Sequence, residues 1–235
     1  MKKFFLSVAT VAAMAFAAQA QFKITPKVGY TTSTWAISKE AKDDLKDEGG
    51  KQTFTSGFSA GVAFDLGLSE SFSIQPEILY TQKGFRAKYD GGTEDSRFNY
   101  LEIPVLVKAS FGDEDALRFF VYAGPYLGYA LNGNYKAKGG PISISSKIKF
   151  GEDPGNNDDT YIPKDEANRL DIGAYVGAGI SLPVGPGALS LEGRYGYGFT
   201  NFDKDPSGQA KKEDLKTQNR TIGVFLGYAI PLSGN

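Results

Sequence analysis

The chain has 235 residues, with 26 Lys and Arg against 27 Asp and Glu, a net charge of −1, and neither Cys nor His. That near-neutral balance argues against a nucleic-acid surface, and the missing Cys and His exclude disulfides, thiolate nucleophiles, imidazole bases and Cys/His zinc sites. The 29 Gly stand beside 13 Tyr and 17 Phe, a combination with which a narrow β-barrel fits large rings into its interior.

In chain order, Lys2 and Lys3 precede an apolar run from Phe4 to Ala18 and the small-residue site Ala18-Gln19-Ala20. This reads as a secretory signal peptide over 1–20, cleaved before Gln21. The run falls short of the roughly 20 residues that a helix needs to cross a bilayer, and no Cys follows the site to receive a lipid. The remainder, 21–235, reads as one domain, since no linker interrupts it and β-barrels of this length fold as single units.

Period-2 alternation then recurs in eight segments, 22–32, 54–66, 72–85, 98–111, 117–131, 170–182, 189–199 and 221–232. In the last, Ile222, Val224, Leu226, Tyr228, Ile230 and Leu232 share one face, while Thr221, Gly223, Phe225, Gly227 and Ala229 share the other. In the sixth, Leu170, Ile172, Val176, Ile180 and Leu182 oppose Asp171, Gly173, Tyr175, Gly177 and Gly179. One face is apolar and the other small, aromatic or charged, the pattern that lipid outside and a confined lumen inside require. The fold expected is all-β: an eight-stranded antiparallel up-and-down transmembrane β-barrel.

Tight turns are expected near 67–71, 112–116 and 183–187, and longer polar loops over 37–53, 90–96, 132–168 and 203–216. Short and long connections thus segregate to opposite ends, matching periplasmic turns and extracellular loops. The stretch 39–48 reads as a short loop helix. Outward parity also puts Phe22, Phe64, Phe72, Phe111 and Phe119 toward the turns and Tyr30, Phe58, Tyr80, Tyr129, Tyr197 and Phe199 toward the loops, as two interfacial girdles.

The inward face collects Lys27, Asp65, Glu77, Lys83, Glu102, Lys108, Arg118, Asp171, Glu192, Arg194 and Arg220. An eight-stranded lumen is just wide enough for side chains to fill, so these charges are expected to pair as a polar plug. A solute path through Glu77, Glu102, Glu192 and Arg194 is the sharper alternative, and inward Phe120, Tyr122, Tyr126, Tyr175 and Phe225 oppose it by occupying the cross-section. Pro76, Pro104 and Pro125 fall inside strands without a free edge, so each predicts a bulge or a non-bonded position. The acidic run Gly151 to Asp159 has the composition of a Ca²⁺ loop without its spacing, and it reads, like Lys211-Lys212, as solvated loop. No metal or cofactor is expected.

Four segments carry a resemblance to a known family: Gln75 to Gly84 (QPEILYTQKG), Tyr100 to Lys108 (YLEIPVLVK), Ala123 to Gly128 (AGPYLG) and Arg194 to Gly198 (RYGYG). In that order they resemble the PorT-like outer-membrane β-barrel family of Bacteroides-type bacteria. The resemblance implies an outer-membrane protein of the porin family embedded in lipid, without enzymatic chemistry. A structural or surface-binding role follows, with loop 132–168 as the contact surface for an extracellular partner. A narrow channel for small solutes and a soluble lipocalin-like barrel are the rivals, and the oligomeric state is open.

Overall fold

The computed structural model describes residues 22–155, 159–163, 165–204 and 216–232. The expected signal peptide, most of loop 203–216 with Lys211 and Lys212, and part of the acidic run therefore lie outside the described residues. Eleven strands form one sheet: β1 (Phe22–Ile37), β2 (Lys51–Thr53), β3 (Thr55–Gly67), β4 (Phe72–Tyr89), β5 (Gly92–Phe111), β6 (Arg118–Gly139), β7 (Ile142–Phe150), β8 (Thr160–Ile162), β9 (Leu170–Val184), β10 (Gly187–Asn201) and β11 (Thr217–Pro231).

Eight of these close a ring in the order β1-β3-β4-β5-β6-β9-β10-β11. The ring shuts through antiparallel pairing of β1 with β11, from Lys23 opposite Pro231 to Ile37 opposite Thr217. All eight expected segments are ring strands. The helix α1 (Lys39–Asp47) forms where expected, because Ser38 accepts from the Ala41 N–H at 3.1 Å and caps its first turn.

The faces also fall as the alternation requires. Val105, Val176 and Leu226 are 43%, 56% and 49% exposed, whereas Glu77 and Arg194 are 0% and 4% exposed. A lipocalin-like barrel would invert this arrangement. The girdle aromatics all stand on the outer face, with Phe22 stacked on Phe64 at the turn end and Phe58 against Tyr80 at the loop end.

Two expectations need correction, and the alternative left open at the prolines is decided. Segment 90–96 is not a loop: Asp90-Gly91 makes a tight turn with Gly91 at φ 90°, and β4 and β5 stay paired up to Tyr89 opposite Gly92. Asp-Gly is a strong hairpin signal, and the polar residues around it belong to strands that extend past the loop-end aromatics. Segment 132–168 likewise holds the end of β6, all of β7 and β8, and the β6–β7 hairpin. The prolines make no bulge. The register runs unshifted past Pro76, Pro104 and Pro125, which sit at or beside gaps in the ladders, and the one shift in β5–β6 lies between Asn99 and Tyr100. Glu77 and Glu102 therefore keep their inward parity.

Inside, rings lie across glycines of the neighbouring strand. Phe120 faces Gly179, Tyr122 faces Gly177, Tyr126 faces Gly173, Tyr175 faces Gly196 and Phe225 faces Gly29. A Cβ at any of these glycines would meet the ring at 2.4–2.5 Å, so ring and glycine are one packing unit. Gly124 is constrained differently, since a Cβ there would stand 2.0 Å from the Val105 carbonyl oxygen. Gly124→Val should therefore prevent β5 and β6 from closing at this point. Detergent-refolded variant should lose the heat-modifiable gel mobility of a folded barrel or unfold about 3 kcal/mol more easily in urea; an unchanged midpoint would contradict the packing described.

Candidate functional site

The lumen is a stack of polar layers, each assembled from strands far apart in sequence. Its centre is an ion quartet of Lys27 on β1, Glu77 on β4, and Glu192 and Arg194 on β10. Lys27 Nζ donates to Glu77 Oε1 at 2.9 Å and to Glu192 Oε1 at 2.6 Å. The Arg194 guanidinium donates to both Glu77 oxygens, at 2.8 and 3.0 Å, and to Glu192 Oε1 at 2.9 Å. Its Nε donates to the Tyr122 hydroxyl at 3.1 Å, and the rings of Phe225, Tyr175 and Tyr122 surround it. Two cations and two carboxylates cancel, which limits the desolvation penalty that isolated buried ions carry.

Toward the loops lies a second layer around Lys83 of β4, which contacts Glu102 of β5 and donates to Asp171 Oδ2 of β9 at 3.1 Å. Its ammonium sits 4.2 Å from the centre of the Tyr126 ring. Tyr175 donates its hydroxyl proton to Glu102 at 2.7 Å, and Tyr126, Thr200 and Asn219 donate to Asp171. The extra carboxylate of this layer is thus stabilised by neutral donors.

Toward the turns, Lys108 pairs with Asp65 and donates to Gln75 Oε1 at 3.0 Å, while Gln75 Nε2 donates to Glu77 at 2.6 Å. Gln75 therefore links the mouth to the quartet. Arg118 stands at the rim, donating to Glu114 and to the Glu70 carbonyl.

Above the second layer the lumen is capped by an apolar cluster: Trp35 stacks on Phe85, Phe98 and Phe202, with Tyr100, Ala130, Ile148 and Ala167 packed in the same cluster. Trp35 Nε1 donates to Asn219 Oδ1 at 3.1 Å and ties the cap to the layer below. The top of β4 also reaches β1 directly, since Ser33 Oγ accepts from the Gly84 N–H and donates to its carbonyl, and Thr31 donates to the Gln82 carbonyl.

Of the predicted lumen residues, Lys27, Glu77, Lys83, Glu102, Lys108, Glu192 and Arg194 come together as described, with Arg118 at the mouth. Arg220 does not join them. It lies on the outer face, its guanidinium 3.4 Å from the centre of the Tyr197 ring, donating to the carbonyls of Gly198 and Asn219 and to Gln218. The reason is parity: Arg220 shares the face of Ile222 and Val224, and the alternation outranks the preference of a charge for the interior. The sequence reading also missed the cap, because Trp35 lies beyond the expected limit of the first strand. The continued inward series Thr31, Ser33, Trp35 was the available signal.

The match to a known family agrees with this architecture. Residues 17–204 match the family described as outer membrane protein beta-barrel domain. No curated protein matches the chain. Among solved structures, the chain is similar to Neisserial surface protein A (NspA), at 14% identity over 90% of this chain and 97% of that one, with a TM-score of 0.47. It is similar to OprG from Pseudomonas aeruginosa at 13% identity, over 92% and 97%, with a TM-score of 0.49. It is also similar to Ail of Yersinia pestis, solved with a heparin analogue, at 14% identity over 89% and 99%, with a TM-score of 0.39.

The quartet makes a ranked prediction. Glu77→Gln leaves Lys27 and Arg194 with one carboxylate between them and should lower stability by about 3 kcal/mol or more in urea unfolding from lipid vesicles. Glu192→Gln should cost less, because Glu192 lines the cavity at the turn end and engages its cations through one oxygen. The reverse order would mean that the two carboxylates have been assigned the wrong weights.

Proposed function

We propose that this chain, which belongs to the outer membrane protein β-barrel domain family and resides in the outer membrane, is a closed, non-conducting barrel that holds a rigid contact surface outside the cell. The family membership covers most of the chain. The finer placement among PorT-like barrels rests on the four ordered motifs, all of which carry lumen residues: Glu77 and Lys83, Glu102 and Lys108, Tyr126, and Arg194. Cleavage of residues 1–20 as a signal peptide belongs to the same reading.

The observation that carries the proposal is the double seal of the lumen. The quartet and the Lys83 layer fill the cross-section at two heights, and the Trp35 cluster covers them at the loop end. Ions crossing this barrel would have to displace partners that have no other place to go. No catalytic role is assigned to the lumen carboxylates, because Glu77, Glu102, Asp171 and Glu192 each engage a buried cation.

What the barrel offers outside is a sheet. Beyond the girdle, β4, β5, β6 and β7 continue as paired strands through Lys88, Thr93, Lys138 and Ser143. Segment 132–168 supplies most of this platform and is the contact surface for an extracellular partner. A platform built of strands keeps its shape before the partner arrives, which lowers the entropy cost of association.

Reconstitution in planar bilayers tests the sealed lumen. The wild-type protein should give no single-channel steps, and removal of the cap by Trp35→Ala with Phe98→Ala should still give none, because the ionic layers remain. Regular steps from the wild type, altered in Arg194→Ala, would favour a narrow solute channel instead.

A further inference from the structure

Arg220 and Arg169 are unusual among the buried and half-buried cations of this barrel. Each sits on a tyrosine of the loop-end girdle, Arg220 on Tyr197 and Arg169 on Tyr129, the latter guanidinium also lying 4.7 Å from the Phe150 ring. Neither has a carboxylate partner among the described residues. Their hydrogen bonds go to neutral acceptors: Arg169 to the Ala130 and Leu131 carbonyls, Arg220 to the Gly198 and Asn219 carbonyls and Gln218.

The girdle marks the level at which hydrocarbon gives way to headgroups. A cation stacked on a girdle ring is therefore held at headgroup height by its own contact. Deeper in the hydrocarbon an outward arginine would be costly, whereas near the interface most of that penalty is gone. The stacking and the carbonyl bonds hold each guanidinium in place without cancelling its charge.

Donors also remain open. A guanidinium offers five N–H groups, and the contacts of Arg220 use Nη1 and Nη2, leaving Nε free of partners among the described residues. Arg169 uses Nε and Nη2 and leaves Nη1. Forked donors of this kind match the oxygens of a phosphate group. Beyond the girdle on the same sheet face, Asn134 stands between Arg97 and Lys147 in one row, and Lys136 lies in the next. Lys136 and Lys147 are exposed and have no ion pair among the described residues.

We propose that this outer rim binds the phosphate groups of outer-leaflet lipid headgroups, with Arg220 and Arg169 as the primary contacts and Lys136 and Lys147 reaching the same charged layer from above. The inference goes beyond the surface role proposed above and depends on the loop end facing outward. Protease cleavage within segment 132–168 on intact cells checks that orientation separately.

The test uses the full chain folded in neutral detergent micelles and titrated by calorimetry with diphosphorylated lipid A or with the same lipid dephosphorylated. Wild-type protein should bind the phosphorylated form at least about tenfold more tightly. Arg169→Gln combined with Arg220→Gln should lose about tenfold in affinity for it, and Arg169→Lys with Arg220→Lys, which keeps the charge without the fork, should lose less than the glutamine pair but still bind more weakly than wild type. Gel mobility before and after heating confirms folding of each variant, and the two-lipid comparison on wild type stands even where a variant does not fold. Equal binding of both lipids, unchanged affinity in the glutamine variant, or displacement by equimolar inorganic phosphate or soluble heparin would overturn the proposal.

Discussion

Closing eight strands leaves an interior with no room for bulk solvent, and every other feature of this barrel answers that restriction. A ring can enter only where the opposite strand has no side chain, which is why Tyr122 meets Gly177 and Phe225 meets Gly29. A charge can enter only with its counter-charge. The strand that brings Glu77 inward must therefore be in register with the strands that bring Lys27 and Arg194, although these residues are 50 and 117 positions away. The quartet specifies registry as well as neutrality: a slip of one residue on β10 would turn Arg194 and Glu192 outward and Tyr195 inward.

Most of this was legible because a strand has an unambiguous period. Once the alternation located the outer face at Leu226 and Val176, the positions of Lys83, Glu102 and Arg194 followed without knowledge of their partners. What the period could not convey was depth. Above the bilayer the outer face becomes polar, the contrast between faces fades, and strands read as loops. Trp35, the Asp90-Gly91 turn and the extension of β6 were all lost in that zone. Arg220 shows the opposite error, in which a plausible chemical role was allowed to override a parity that the neighbouring Ile222 already declared. The Gln75 relay had no sequence signal, since its meaning comes from Lys108 and Glu77 standing on either side of it.

The two ends of the lumen are built to different standards. At the turn end Lys108, Asp65 and Arg118 border a cavity, Lys108 meeting Asp65 and Gln75 on ring strands and Arg118 bonding to Glu70 and Glu114 in the short connections. At the loop end the cap combines strands β1, β4, β5, β6 and β7 with residues flanking β9 and β10, and Trp35 bonds to Asn219, which in turn bonds to Asp171. The surface platform is thereby coupled to the buried ionic layers through side chains.

The same restriction explains how charge is partitioned between inside and rim. In the lumen a cation without a carboxylate would be prohibitively costly, so Lys27, Lys83, Lys108 and Arg194 each meet an acid there. At the girdle the surroundings change within a residue or two, and neighbouring ring faces and backbone carbonyls suffice to position a guanidinium. Arg169 and Arg220 are held there without a carboxylate partner among the described residues. Neutralising the core within itself leaves these two guanidiniums outside the ion-pair network, at the girdle height where the headgroup phosphates proposed above would meet them.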